Sequence, residues 1–168
     1  MARGWWWSCR LPDHVNRQAN IHASCVAIGR AGVLLLGKSG AGKSSMALCL
    51  IEGGARLVAD DRVLLSARDG ALHARAPDSI FGLLEIRSVG IVAFPARKQV
   101  KIALAVRLDG EGARLPPARH FRPPPPLVLR EPVPLIRLDG RSPATPARIR
   151  AALAAFSRGL FRDTFNPK

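Results

Sequence analysis

Short apolar runs, broken by glycines and charged residues, are the most regular feature of the first half of the chain. The runs 21–28 and 32–36 are separated only by residues 29–31, a pattern that predicts a β-hairpin. A glycine-rich stretch follows, and residues 44–52 then carry apolar side chains at helical spacing until two glycines at 53–54 end the pattern. The predicted order is therefore strand, glycine-rich loop and helix.

Further short strands are predicted after this helix. Residues 56–59 form an apolar run that ends at two aspartates, and residues 62–76 are typical of a second hairpin, turning at 68–70. Three later runs, each short enough for a strand, cover residues 80–86, 90–94 and 102–108. The pattern as a whole predicts an α/β fold with a mixed sheet and flanking helices.

The final third of the chain has a different composition. Eight prolines fall between residues 116 and 134, which disfavours helix and interior strand and predicts an extended crossover on the surface. Thr145 followed by Pro146 is a favourable pair for the N-cap and first turn of a helix. Apolar residues at helical spacing then predict a C-terminal helix over about 146–162.

Length and composition limit the architecture. The 168 residues suit one domain, and we expect a lead-in over 1–20, which contains Trp5, Trp6 and Trp7, followed by a single domain over 21–168. Hydrophobic residues make up 48% and charged residues 23%, which is the balance of a chain with a packed core.

Charge and cysteine content argue against several classes of protein. The net charge is +14, but its 21 arginines and 5 lysines are spread along the chain, so we interpret it as compositional bias and not as a nucleic-acid-binding patch. The cysteines at 9, 25 and 49 form no CxxC or Cys/His cluster, which argues against disulfides and zinc and favours the cytoplasm. No signal peptide and no apolar stretch of spanning length is visible, so we expect no membrane association.

The strongest chemical signal is the glycine-rich loop, residues 37–44. It matches the phosphate-binding pattern G-x-x-x-x-G-K-[ST] at every fixed position and lies between a predicted strand and a predicted helix. We expect Lys43 to reach the β- and γ-phosphates of a nucleotide and the Ser44 hydroxyl to bind Mg²⁺. The expected nucleotide-binding residues are Gly37, Lys38, Ser39, Gly40, Ala41, Gly42, Lys43, Ser44 and Ser45.

Three acidic residues are candidates for the accompanying chemistry. Asp60 and Asp61 end the predicted strand 56–59, and if that strand is a parallel neighbour of the strand before the loop, both carboxylates emerge beside the loop. One would then serve a metal ion and the other would accept a proton. Glu85 interrupts an apolar run and must either find a cation or point to solvent from an edge strand, so it is a candidate second metal ligand.

With the glycine-rich loop, the strand end 58–61 and the segment 84–90 in that order, residues 21–115 resemble the catalytic domain of HPr kinase/phosphorylase. These bacterial enzymes use ATP to phosphorylate a serine of the small phosphocarrier HPr, and they remove the phosphoryl group by phosphorolysis, which yields pyrophosphate. The resemblance implies ATP and Mg²⁺ as cofactors, an HPr-like carrier as partner, and a homohexamer. It also implies a nucleotide-binding fold similar to that of phosphoenolpyruvate carboxykinase.

The resemblance assigns roles by position. The implied catalytic residues are Asp61, Lys43, His22 and Arg114. The implied metal ligands are Ser44, Glu85 and Asp60. Asp61 would accept the proton of the acceptor serine and return a proton in dephosphorylation, while His22 would orient Asp61.

The chain departs from this family at three points. We expect the short, catalytic-domain form without the family's large N-terminal domain, and Ser88 stands where the family signature has glycine. Residues 134–142 match poorly the family segment used in dephosphorylation. We therefore expect kinase activity and leave phosphorolysis open.

Three other hypotheses compete with this one. Residues 109–112 fit the D-x-x-G of a small GTPase, but the chain has no N-K-x-D element to select guanine. A kinase of a small metabolite would share the loop and its aspartates, although the segment around Glu85 argues against it. A basic nucleic-acid-binding module would show steep salt dependence and would not need Lys43.

Overall fold

Residues 18–114 and 118–160 are described by a computed structural model, in which a curled β-sheet carries two helices on one face. The tryptophans at 5–7 lie outside these residues. In chain order the strands are β1 (Gln18–His22), β2 (Ser24–Ile28), β3 (Ala31–Leu36), β4 (Arg56–Ala59), β5 (Arg62–Arg68), β6 (Ala71–Arg75), β7 (Leu83–Ile86), β8 (Gly90–Ala93), β9 (Val100–Arg107), β10 (His120–Phe121) and β11 (Val133–Arg137). The helices are α1 (Lys43–Glu52) and α2 (Thr145–Arg158).

The strand that leads into the glycine-rich loop lies inside the sheet. The strand order is β1-β5-β6-β9-β3-β2-β4, with β3 parallel to β9 and antiparallel to β2. On its other edge, β9 pairs with β6 near its start and with β11, in parallel, near its end. Because β3, β9 and β11 run in the same direction, their C-terminal ends meet at one edge of the sheet, where ligands of open α/β sheets bind.

The alternation of side chains along β3 shows why the sheet is buried on both faces. Val33 and Leu35 pack into the cluster that contains the apolar residues of α1 and α2. Leu34 and Leu36 point to the opposite face, where Leu127 of the proline-rich segment completes the packing. A strand covered on both faces is apolar at consecutive positions, as β3 is.

Both predicted hairpins are present, as β2–β3 and β5–β6, and α1 follows the glycine-rich loop. The first predicted run divides at Ala23, because β1 leaves the hairpin and pairs antiparallel with β5. The predicted strand 80–86 also divides. A 3₁₀ turn over Asp78–Ile80 precedes β7, and β7 pairs only with β8 in a separate two-stranded sheet.

The proline-rich segment contains more strand than its composition predicts. It includes β10 and the first residues of β11, and Pro134 lies within β11. Pairing of β11 with β9 begins at Leu135, so the missing N–H of Pro134 removes no bond from that ladder.

The predicted N-cap of the last helix is wrong by one residue. Ala144 occupies the cap position, and the Thr145 hydroxyl donates to the carbonyl oxygen of Asp139 at 2.6 Å instead of capping the helix. The helix ends before 162 because Gly159 adopts a left-handed conformation, with φ of +62°.

Within the described residues, neither helix is long and apolar enough to cross a membrane. Cys25 and Cys49 are both free thiols.

Candidate active site

The glycine-rich loop joins β3 to α1 and forms one wall of a cleft. Gly40 and Gly42 have φ values of +78° and +87°, which other residues rarely adopt. The N–H of Ala41 donates to the carbonyl of Lys38 at 3.1 Å, which closes the loop into a turn. The first turn of α1 holds no acidic residue, so its N-terminal partial positive charge is available to an anion.

Lys43 is buried, with 6% of its surface exposed, and its ammonium group has three acceptors. It lies 2.9 Å from the carbonyl oxygen of Gly37, 3.1 Å from that of Lys38 and 2.9 Å from Nε2 of His22. Burial lowers the pKa of Lys43, and the nearby carboxylates of Asp60 and Asp61 offset this only in part. The lysine is thus held at the loop by its full set of hydrogen bonds.

His22 connects Lys43 to Asp61. A protonated Lys43 has only donors, so its contact with Nε2 requires that nitrogen to be an acceptor, and the ring proton is then on Nδ1. Nδ1 lies 3.0 Å from Oδ1 of Asp61 and 3.1 Å from its carbonyl oxygen. The arrangement fixes the imidazole between a cation and a carboxylate.

The backbone of Asp61 is in a left-handed conformation, with φ of +63°. The N–H of Arg62 donates to the carbonyl oxygen of Asp60 at 2.7 Å, which makes a tight turn between β4 and β5. Aspartate tolerates this conformation better than most residues, although it still costs energy. The turn directs both the carbonyl and the carboxylate of Asp61 to His22, and leaves the side chain 66% exposed.

Asp60 faces the other way and receives two serine hydroxyls. Ser44, in the first turn of α1, lies 3.0 Å from each carboxylate oxygen of Asp60. Ser24 of β2, which is fully buried, donates to Oδ1. The two adjacent aspartates therefore have different surroundings, because Asp60 is buried among hydroxyls whereas Asp61 borders solvent.

The strand arrangement behind these aspartates differs from the parallel-neighbour prediction. β4 runs in the same direction as β3, but β2 lies between them and is antiparallel to both. The carboxylates still reach the loop because the ends of β4 and β3 lie at the same edge of the sheet. The intervening β2 adds Ser24 to the site.

Glu85 reaches the cleft from the separate β7–β8 sheet. It is exposed and lies opposite Ile91 in the hairpin, while Leu84 beside it is fully buried in the core. The alternation of a buried and an exposed residue is that of an edge strand with one face on the core. Glu85 therefore lies on the exposed face of an edge strand and lines the cleft, so its carboxylate stays a candidate metal ligand.

Most of the predicted site residues line one cleft of about 340 Å³. From the loop it includes Ser39, Gly40, Gly42, Lys43, Ser44 and Ser45. From outside the loop it includes His22, Asp60, Asp61 and Glu85. Gly37, Lys38 and Ala41 contribute backbone to the loop behind this surface. Arg114 is exposed in the segment after β9 and is not among the residues that line the cleft.

Comparison with known proteins assigns the family. The family model described as the HPr serine kinase C-terminal domain matches residues 13–108, more than half of the chain. The chain belongs to the HPr serine kinase C-terminal domain family. The family resemblance inferred from the sequence is thereby confirmed.

Curated relatives agree with this membership over part of their length. An HPr kinase/phosphorylase of Clostridium perfringens is 39% identical over 103 residues, which are 56% of this chain and 34% of that protein. Another, from Clostridium beijerinckii, is 42% identical over 82 residues, 49% of this chain and 27% of that protein. The chain thus spans about a third or less of the length of these relatives.

A solved structure supports the fold over a larger share of the chain. The Hpr(Ser) kinase/phosphatase of Coxiella burnetii superposes with a TM-score of 0.69 at 23% identity, covering 84% of this chain and 92% of that chain. The predicted α/β fold with a mixed sheet is confirmed by this match and by the strand pairings.

The oxygen donors of the cleft suit the magnesium expected for a kinase of this family. No group of three or more His, Cys, Asp or Glu side chains that could hold a metal occurs within 18–114 and 118–160. Ser44, Asp60 and Glu85 nevertheless supply hard oxygen atoms to one cleft. Mg²⁺ needs few protein ligands where substrate phosphates provide others, so this donor set fits it.

Sequence reasoning missed Ser24 and Gly140. Ser24 lies two residues after His22, but nothing in a run of small apolar residues separates a serine that bonds a carboxylate from one that packs in the core. Gly140, in the loop after β11, packs against the carbonyl oxygen of Ala41. That contact depends on the parallel pairing of β11 with β9, which the local pattern does not reveal.

Proposed function

We propose that this chain is an ATP-dependent serine kinase whose acceptor is an HPr-type phosphocarrier protein. Family membership supports the class of enzyme. The observation that carries the proposal is the hydrogen-bonded series Lys43–His22–Asp61 next to the glycine-rich loop, with Ser44 and Asp60 joined beside it. These groups supply a phosphate-binding cation, a carboxylate base and oxygen donors for a metal within one cleft.

The proposed reaction is an in-line transfer of the γ-phosphoryl group. The acceptor serine oxygen forms a bond to the γ-phosphorus, the bond from that phosphorus to the β–γ bridging oxygen breaks, and ADP leaves. The proton of the serine hydroxyl passes to the carboxylate of Asp61. That carboxylate suits the role because it is exposed to an incoming hydroxyl and is held by His22.

The other groups position charge. Lys43 would donate to the β- and γ-phosphates, exchanging hydrogen bonds now made to its own loop and to His22. Ser44, Asp60 and Glu85 would hold Mg²⁺, which supplies neutralisation of phosphate charge when bound. By resemblance to the family, Arg114 would assist from the loop after β9.

Finer features follow from the family resemblance and belong to the same proposal. We infer a nucleotide-binding fold similar to that of phosphoenolpyruvate carboxykinase, a phosphate-binding role for the glycine-rich loop, and a cytoplasmic homo-oligomer.

In the reverse direction, an oxygen of inorganic phosphate would attack the phosphoserine phosphorus, and the bond from that phosphorus to the serine oxygen would break. Asp61 would protonate the departing serine oxygen, and pyrophosphate would form.

The test is incubation of the chain with MgATP and an HPr-type carrier from the same genome, followed by intact-mass and peptide mass spectrometry of the carrier. We expect one phosphoryl group on a serine. Lys43→Ala and Asp61→Asn should each abolish the product. Asp69→Asn is the matched control, because Asp69 also has a positive φ and lies in a turn, but outside the cleft.

Two outcomes would contradict the proposal. ATP binding through Lys43 without carrier phosphorylation would indicate that the phosphoryl acceptor is a small molecule and not the carrier. Retention of full activity in Asp61→Asn would remove the assigned base. Addition of inorganic phosphate to the phosphorylated carrier then separates a kinase from a bifunctional enzyme, since only the latter releases pyrophosphate.

A further inference from the structure

The buried hydroxyl of Ser24 lies behind the groups proposed to bind Mg²⁺. Ser24 has no exposed surface, and its Oγ donates to Oδ1 of Asp60. On β2, Val26 packs into the cluster that contains the helices, whereas Cys25 and Ala27 pack on the opposite face. By the same alternation Ser24 points to the face of α1, where Ser44 begins the helix.

We propose that Ser24 is a positioning residue that orients the Asp60 carboxylate so that the Ser44 hydroxyl presents its oxygen to a divalent cation. The inference rests on the proposed kinase function and adds a residue that neither the sequence pattern nor the family resemblance identified.

Two serine hydroxyls share the two carboxylate oxygens of Asp60. Ser44 has one hydroxyl hydrogen, yet its Oγ lies 3.0 Å from both oxygens of Asp60. Ser24 supplies the hydrogen for Oδ1, so the Ser44 hydrogen is best accommodated at Oδ2. A serine that donates its only hydrogen to a carboxylate keeps its lone pairs for a cation.

Burial makes this arrangement sensitive to Ser24. Asp60 is only 5% exposed, so water cannot readily replace a lost hydroxyl donor. Without Ser24, no second hydroxyl would distinguish the two oxygens of Asp60, which lie equally far from Oγ of Ser44, so both would compete for the Ser44 hydrogen. Hydrogen-bond partners behind metal ligands commonly change metal affinity by about 10–100-fold when they are removed.

The experiment measures Mn²⁺ binding directly, by electron paramagnetic resonance, on the full chain saturated with a non-hydrolysable ATP analogue. We expect Ser24→Ala to weaken Mn²⁺ binding about tenfold or more while affinity for the analogue without metal stays unchanged. Ser24→Thr, which keeps the hydroxyl, should restore most of the affinity. Ser66→Ala is the matched control, because Ser66 is a partly buried strand serine outside the cleft.

A second variant covers the event that Ser24→Ala does not fold. Ser24→Cys keeps nearly the same side-chain volume, but its thiol is a weak hydrogen-bond donor, so this variant should lose Mn²⁺ affinity as Ser24→Ala does. Cooperative unfolding in urea should show that it has the native fold. A purely structural serine would change the unfolding midpoint and leave Mn²⁺ affinity of the folded variants unchanged, which would overturn the proposal.

The outcomes also separate this inference from the kinase assignment. If the wild-type chain binds Mn²⁺ with the analogue and the Ser24 variants bind it equally well, the role of Ser24 is refuted and the kinase proposal stands. If the wild-type chain shows no metal-dependent nucleotide binding, the kinase proposal fails, and the positioning role fails with it.

Discussion

The substitution Gly140→Ala tests whether the loop after β11 sets the position of the glycine-rich loop. A Cβ at residue 140 would lie 2.3 Å from the carbonyl oxygen of Ala41 and 3.1 Å from Cβ of Leu108. The first contact is with backbone, so no side chain can rotate away to relieve it. Either the glycine-rich loop or the loop that carries Gly140 must move.

The size of the movement follows from the contact distance. Real Cβ atoms essentially never approach closer than 3.0 Å, so the 2.3 Å contact requires a displacement of at least about 0.7 Å. Ala41 lies directly before Gly42 and Lys43, so the displacement is transmitted to the start of α1. Overpacking of this kind costs about 1–3 kcal/mol of stability. Misplacement of catalytic groups by ~1 Å can lower the rate by roughly 10²-fold.

The assay combines urea unfolding, ATP affinity by calorimetry and the rate of carrier phosphorylation. We expect Gly140→Ala to lower the free energy of unfolding by about 1–3 kcal/mol, and to lower the phosphorylation rate by roughly 10–100-fold. Gly29→Ala is the control. Gly29 has φ of +59° and open space around it, in the turn at the other end of β3, so alanine there should cost about 1–2 kcal/mol of stability without weakening ATP binding.

Two results would refute this reasoning. Wild-type ATP affinity and rate in a folded Gly140→Ala protein would show that the contact does not position the loop. An equal fall in phosphorylation rate in Gly29→Ala would show that the effect follows general stability instead of local geometry.

Two further predictions concern α1. Nη2 of Arg150 donates to the carbonyl oxygens of Leu50 at 2.9 Å and Gly53 at 2.8 Å, so Arg150→Met should lower the free energy of unfolding in urea by ~1–2 kcal/mol, discounted for partial exposure. Arg158→Met should lower the free energy of unfolding less than Arg150→Met does, and an equal loss in the two variants would contradict this prediction. The lowered pKa of Lys43 predicts that ATP affinity falls as pH rises through a value below the usual 10.5, because only the protonated lysine attracts phosphate. Calorimetry as a function of pH checks this prediction. Lys43→Ala should not show this fall in ATP affinity, and a fall only at or above pH 10.5 would contradict the prediction.

The family resemblance and the local elements could be predicted because their signals are local in sequence. The glycine-rich loop combines fixed glycines with a preceding apolar run and a following helical pattern, and each of these is visible within about twenty residues. The aspartates at the end of β4 and the isolated Glu85 stood out for the same reason, as charges in apolar surroundings. The structure brings these groups to one cleft.

Strand order was decided only by the tertiary structure. The insertion of β2 between β3 and β4, and the departure of β1 to pair with β5, depend on pairings between distant residues, which no short pattern encodes. β11 also pairs with β9 although the segment around it is rich in proline, because the pairing begins at Leu135, after Pro134.

The sequence by itself therefore determined the chemical groups, and the tertiary structure decided which of them touch. A serine in a strand and a glycine in a loop carry no local sign of their partners. Ser24 matters because it donates a hydrogen bond to the carboxylate of Asp60, 36 residues away. Gly140 matters because it packs against the carbonyl oxygen of Ala41 in the glycine-rich loop. Such contacts are set by the sheet, whose pairing aligns residues distant in the chain, and so they become visible only when the fold is known.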